Sequence, residues 1–169
     1  MLDSEANKGQ EFGRNMIDIA KKLLENQNLC KLLINTDLDP LNETIHPDIP
    51  DTYELFNKNI RVIPMVSPDD ETTTSKIVIV YTGSFLSEQN VNFDHENIAL
   101  AIYVYCPYKE WTIAGDSLRP FAIMAEIRKS LQDKRINGLG EIRYEGFDLS
   151  SLTNKTGSYV LRFTIGAFK

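Results

Sequence analysis

The chain has 169 residues, 42% of them hydrophobic, and its 24 acidic against 18 basic side chains leave a net charge of −6. That length suits one ordinary domain, able to bury about 70% of the surface its unfolded chain would expose. The composition points to neither disorder nor a membrane span, because the longest apolar run falls far short of the ~20 residues a spanning helix needs. An acidic balance argues against a surface built to hold nucleic acid phosphates. Met1-Leu-Asp-Ser-Glu5 has no basic segment leading into an apolar core, so no signal peptide is expected and the product reads as cytosolic. In that setting Cys30 and Cys106 are expected to be reduced, partly buried thiols. The sequons Asn42-Glu-Thr44 and Asn154-Lys-Thr156 carry no weight without secretion.

Residues 1–9 are polar and expected to fray. From Gln10 to Asn26, Met16, Ala20, Leu23 and Leu24 recur at helical spacing, flanked by Phe12 and Ile19, with Lys21, Lys22 and Glu25 on the wet face. A second short helix, Leu29 to Ile34, follows with Asn28 as its expected cap. Residues 35–59 scatter Pro40, Pro47 and Pro50 among Asp37, Asp39, Glu43, Asp48 and Asp51. This reads as a long Pro/Asp-rich loop, either a functional contact or plain surface disorder.

Strands follow. Ile60 to Val66 is a short one that Pro64 confines to a sheet edge or a bulge. A polar turn at Asp69–Ser75 leads to a strand from Lys76 to Thr82. A polar connection, Gly83 to Glu96, leads to a third strand from Asn97 to Cys106. The last two strands are apolar at nearly every position, so both faces need cover from helices or from another subunit. A helix is predicted from Leu118 to Lys134, capped by Asp116 or Ser117, with Pro120 in its first turn. Phe121, Met124, Ile127 (or Arg128) and Leu131 form its expected buried stripe, with Ile123 alongside, and Asn137-Gly-Leu-Gly140 should end it. Two closing strands, Glu141–Leu149 and Ser158–Phe168, flank a turn at Asn154-Lys-Thr-Gly157. In the last, Tyr159, Leu161, Phe163 and Ile165 alternate with Ser158, Val160, Arg162 and Thr164, which predicts one buried and one mostly wet face. The expected fold is a single α+β domain over residues 10–169. Its mostly antiparallel sheet is flanked by the N-terminal helix and by the helix near 118–134.

No catalytic constellation stands out. His46 precedes Pro47 in the acidic loop, and His95 lies between Asp94 and Glu96, where adjacent side chains point apart and make a poor metal site. Asp37-Leu-Asp39 starts like a calcium loop, but Leu41, Asn42 and Asp48 occupy positions where that loop wants a ligand, glycine and glutamate. Asp69, Asp70 and Glu71 read as a solvated turn, or as a weak cation site. No Gly-Lys-Ser/Thr follows Gly83 or Gly140, and no serine sits in a Gly-x-Ser-x-Gly context. Cys106 lacks a histidine neighbour in sequence and reads as a buried thiol. Arg119, fixed at a helix start by Pro120, is either packed within the subunit or paired with a carboxylate across an interface. Tyr103, Tyr105, Tyr108 and Trp111 cluster at a strand exit without the basic surface that nucleic acid stacking requires, which favours core or protein-interface roles.

The run Tyr105-Cys-Pro107, Trp111, Gly115 and Leu118-Arg-Pro120, followed by a helix holding Ile123, Ile127 and Leu131, resembles a pattern in small neck and tail-completion proteins of tailed bacteriophages. These are the tail terminators, or head-to-tail joining proteins. The order of elements agrees, down to the closing Tyr159-Val-Leu-Arg-Phe163, over most of residues 10–168. The resemblance implies an α+β subunit that closes into a ring, typically hexameric, capping the tail tube and binding the head connector. DNA would pass through the lumen without specific binding. It implies a structural virion protein at the tail-neck junction, made in the host cytoplasm, with no enzymatic activity, no cofactor and no membrane contact. Candidate interface residues are then Tyr105, Tyr108, Trp111 and Arg119, with Asp69, Asp70 and Glu71 on a loop facing tube or connector. A head-completion or stopper protein on the portal side, or a protein-binding adaptor using the Trp111 region as a groove, are the alternatives.

Overall fold

A computed structural model describes residues 2–62, 74–86, 96–137 and 139–166. Helix α1 runs from Leu2 to Leu24 and buries Ile19, Ala20, Leu23 and Leu24 along one stripe. It begins well before the expected Gln10. Residues 2–9 include good helix formers such as Leu2, Glu5, Ala6 and Lys8, but they carry no apolar stripe for periodicity to detect. Helix α2 spans Gln27–Ile34, and its cap is Asn26, not the expected Asn28. Asn26 Oδ1 accepts from Leu29 N at 3.0 Å, while its amide donates to Glu126 Oε2 and Ser130 Oγ at 2.8 and 2.9 Å. One side chain thus fixes the corner between α1 and α2 against the helix that follows much later.

Residues 35–59 form the expected long connection, with a single turn of 3-10 helix at Thr52–Leu55. The connection is tied down at several points: buried Lys31 pairs with Asp48 at 2.7 Å, and the Gln27 amide exchanges hydrogen bonds with both backbone groups of Ile49. Among the described residues strand β1 spans Ile60–Arg61 and lies parallel to β2 at one end of the sheet, the edge position Pro64 predicted. The expected strand beyond Val62, the polar turn as far as Thr73, and Asp69, Asp70 and Glu71 lie outside the described residues. Strands β2 (Lys76–Leu86) and β3 (Glu96–Pro107) pair antiparallel and run longer than predicted, into the polar residues expected to be loop. Strands β6 (Ile142–Leu152) and β7 (Thr156–Gly166) close the sheet in the order β1-β2-β3-β7-β6.

Between them, β4 (Thr112–Ile113) and β5 (Ser117–Leu118) make a small ribbon that turns at Gly115 and Asp116, both at positive φ. This ribbon uses the residues expected to cap the next helix. Helix α3 therefore starts at Arg119 behind Leu118, with no side-chain cap, and ends at Leu131. The left-handed residue near its end is Asp133, so the chain turns before the expected glycines.

The result is α+β: among the described residues, helices α1 and α3 pack on one face of a mostly antiparallel sheet, and α2 packs against both of them. Antiparallel register sets residues side by side in rows across the strands. Ile79, Ile102 and Leu161 make one buried row, and Ile77 and Val104 begin the next, all beneath the helices. On the far face, Val78, Ala101 and Val160 are also buried, although no described helix covers them. Ser158 is likewise buried, so the predicted wet face of β7 holds only at exposed Arg162 and half-buried Thr164.

Two glycines test this packing. A Cβ on Gly140 would sit 1.6 Å from the Gly166 carbonyl oxygen, whereas one on Gly13, mid-helix in α1, would meet nothing within 4 Å. Gly13→Ala should raise stability by about 0.5–1 kcal/mol. Gly140→Ala should be strongly destabilising or prevent folding, because backbone cannot yield as a side chain can. Urea midpoints of the two variants check this, and equal midpoints would contradict the close approach.

Candidate functional site

Arg119 is completely buried and is among the largest side chains so enclosed. Pro120 in the first turn fixes the backbone at the start of α3, and the side chain turns inward. Nε donates to the Glu110 carbonyl at 2.7 Å. Nη1 donates to the carbonyls of Leu32 at 2.7 Å and Asn35 at 2.6 Å, and Nη2 to that of Asp37 at 2.7 Å. Carbonyls in the last turn of α2 and just beyond it are thereby satisfied by a residue far along the chain. Burial presses the guanidinium pKa below its usual value, and the neighbouring Glu110 carboxylate pushes it back up. Glu110 is itself buried and accepts from Ser75 Oγ at 3.0 Å through Oε2, while Oε1 has no partner among the described residues. Of the two roles the sequence left open for Arg119, the structure places it in the packed one. Sequence reasoning missed Ser75 and Glu110, polar residues that flank apolar strands in sequence and give no periodic signal.

The same corner sets an aromatic shelf. The Arg119 amide donates to the Trp111 carbonyl at 2.7 Å, and the Trp111 ring lies on Gly157 of β7. A Cβ there would be 2.4 Å from Trp111 Cη2. Tyr108 lies tilted against Trp111 at 5.3 Å between ring centroids and donates through its hydroxyl to the Thr153 carbonyl at 3.0 Å. Tyr159 lies 6.3 Å from Trp111 and 5.2 Å from Phe121, and Phe121 meets Phe147 edge-on at 6.1 Å. Phe121 was expected in the buried stripe of α3, yet it is exposed at the edge of this shelf.

The buried rows of the helix face run on into β6 and there emerge into solvent. Ile79, Ile102 and Leu161 continue to Phe147, and Ile77, Val104 and Tyr159 continue to Leu149. Phe147 is 49% exposed, Leu149 53% and Leu152, opposite Gly157, 61%. Single exposed apolar residues are ordinary, but a row of them beside an aromatic cluster is a marker of an interaction site. The 13 residues of α3 span about 20 Å, while the 11 residues of β6 span about 36 Å.

Tyr108, Trp111 and Arg119 thus meet at one corner. Tyr105 does not: it lies on the face without described helices, stacked 6.3 Å from Tyr103, where burial raises its pKa. Asp69, Asp70, Glu71 and His95 lie outside the described residues. His46 pairs with Asp37 at 2.5 Å, and among the described residues no group of three or more His, Cys, Asp or Glu side chains could hold a metal ion. Among the described residues no helix is long and apolar enough to cross a membrane. Both cysteines are buried and unpaired, with burial pushing Cys30 up to about 11 and Cys106 up to about 12, the latter opposed by a Ser75 hydrogen bond.

A family model described as YomW, a phage-derived name, matches residues 26–165, the stretch from the Asn26 cap to the end of β7. No curated protein matches the chain.

Arg119→Met should leave buried carbonyls and the Glu110 carboxylate without their cation, and Arg119→Lys should leave carbonyls that its single ammonium cannot reach together. Arg119→Met is expected to cost about 3–5 kcal/mol and Arg119→Lys about 2 kcal/mol or more, read from urea unfolding. A change within ~0.5 kcal/mol for Arg119→Lys would refute the clamp. The thiols, with raised pKa values, stay protonated at neutral pH, and the thiolate is the reactive form. Ellman's reagent at pH 8 should therefore label the native protein very slowly and both cysteines promptly in denaturant. Prompt labelling of the native chain would contradict their burial.

Proposed function

The chain belongs to the YomW family, and from that premise we propose that it is a structural phage protein, a tail terminator or completion subunit that assembles as a homo-oligomeric ring. In that role the ring caps the tail tube and joins it to the head connector, with DNA passing through its lumen. The observation that carries the reading is the row of Phe147, Leu149 and Leu152, exposed at the edge of the sheet beside the aromatic shelf. A chain that buries this surface must do so against another chain. The phage-derived family name supports the setting. Net negative charge suits a lumen along which DNA slides, since a surface that does not neutralise phosphates does not hold them. The function needs no catalytic group and no cofactor, only a rigid subunit with two places to hold its neighbours.

Light scattering on the purified full chain, with negative-stain images in the presence and absence of tail tubes, tests this reading. The expected result is a closed ring with a central opening, seated on tube ends where tubes are present. A chain that stays strictly monomeric and never associates with tubes would contradict it.

A further inference from the structure

Helix α2 is enclosed on every side, because Leu29, Cys30, Lys31, Leu32 and Leu33 are buried in succession. Helices α1 and α3 cover part of it. The side that bears Gln27 and Lys31, one turn apart, holds residues 47–50 of the long connection. This segment, Pro47-Asp-Ile-Pro50, is neither helix nor strand, and its two prolines stiffen it. Both ends are anchored. The His46 amide donates to the Asn42 carbonyl at 2.7 Å, and Asp51 Oδ1 accepts from the Tyr53 amide at 2.9 Å. Between those anchors, among the described residues, the backbone hydrogen-bonds only with the Gln27 side chain, through Ile49. The ion pair there joins Asp48 to Lys31 at 2.7 Å.

We propose that residues 47–50 form a strap that lifts off α2 as a unit, with the Lys31–Asp48 pair as its latch. The two halves of the latch are unequal: the Lys31 side chain is 3% exposed and that of Asp48 75%. A buried ammonium is costly without a counter-charge, and lifting the strap returns it to water. Asp48 offsets that cost while the strap is down. A cation from solvent or from a partner's surface that captures the exposed carboxylate removes the offset and favours the open strap. The apolar contact broken on opening is small, that of half-buried Ile49. Opening therefore uncovers the Gln27–Lys31 side of α2 while the sheet stays folded, as a segment with few buried contacts allows. The latch works in a single chain and needs no assembly.

Exchange of the Ile49 amide, followed by NMR on the full chain, reads the strap directly, because Gln27 Oε1 accepts from it at 2.9 Å. Asp48→Asn stands in for capture of the carboxylate, at an exposed position that does not threaten folding. It should speed Ile49 exchange about tenfold, with amides at the centres of β3 and β7 unchanged. Lys31→Met removes the cation that needs a partner, so Ile49 should exchange no faster than in wild type. Asp48→Asn added to Lys31→Met should then change nothing further. An Ile49 amide indifferent to Asp48→Asn would overturn the latch, as would equal acceleration at Ile49, β3 and β7. Faster exchange in Lys31→Met, or an Asp48→Asn effect that persists beside it, would do the same.

Discussion

The buried guanidinium of Arg119 is the constraint on which the rest of the structure hangs. It has five N–H donors in a rigid fork, and it aims them at carbonyls of Leu32, Asn35, Asp37 and Glu110, four points on two segments distant in sequence. A cation without solvent is costly unless surrounded by acceptors and a counter-charge. Here the carbonyls supply the first, and buried Glu110 supplies the second. The consequence is geometric. The end of α2, the start of the long connection, and the turn before β4 are held on the first turn of α3.

The aromatic shelf follows from that clamp. Glu110 and Arg119 are both fixed, so the Trp111 backbone between them has little freedom, and its ring is delivered onto Gly157. Tyr108, Tyr159 and Phe121 then gather around it, beside the β6–β7 hairpin. The exposed strip is thus a product of how the core is built. The reading of the chain as an assembling subunit rests on this uncovered part of an otherwise well-covered helix face.

Much of this was legible in the sequence because burial has a period. The stripe Ala20, Leu23, Leu24, the buried side of β7 at Leu161, Phe163 and Ile165, and the edge position implied by Pro64 all appear in the structure, though the wet side of β7 is only partly so. What the sequence concealed is what has no period. The start of α1 depends on propensity without an apolar face, and the Asn26 cap depends on contacts from distant α3. Phe121 sits at the stripe's spacing, but nothing local reveals that the sheet beneath it runs out of helix cover. Arg119 was marked by its fixed place beside Pro120. Its partners are main-chain carbonyls, which residue identity cannot disclose.

Backbone hydrogen exchange on Arg119→Lys, compared with wild type, tests most directly whether one side chain holds this frame. If it does, amides at residues 35–39 and 111–114 lose protection in the variant, while the centres of β3 and β7 keep theirs. Unchanged protection in both segments, or an even loss across the whole sheet, would show that Arg119 is not the constraint that places the shelf.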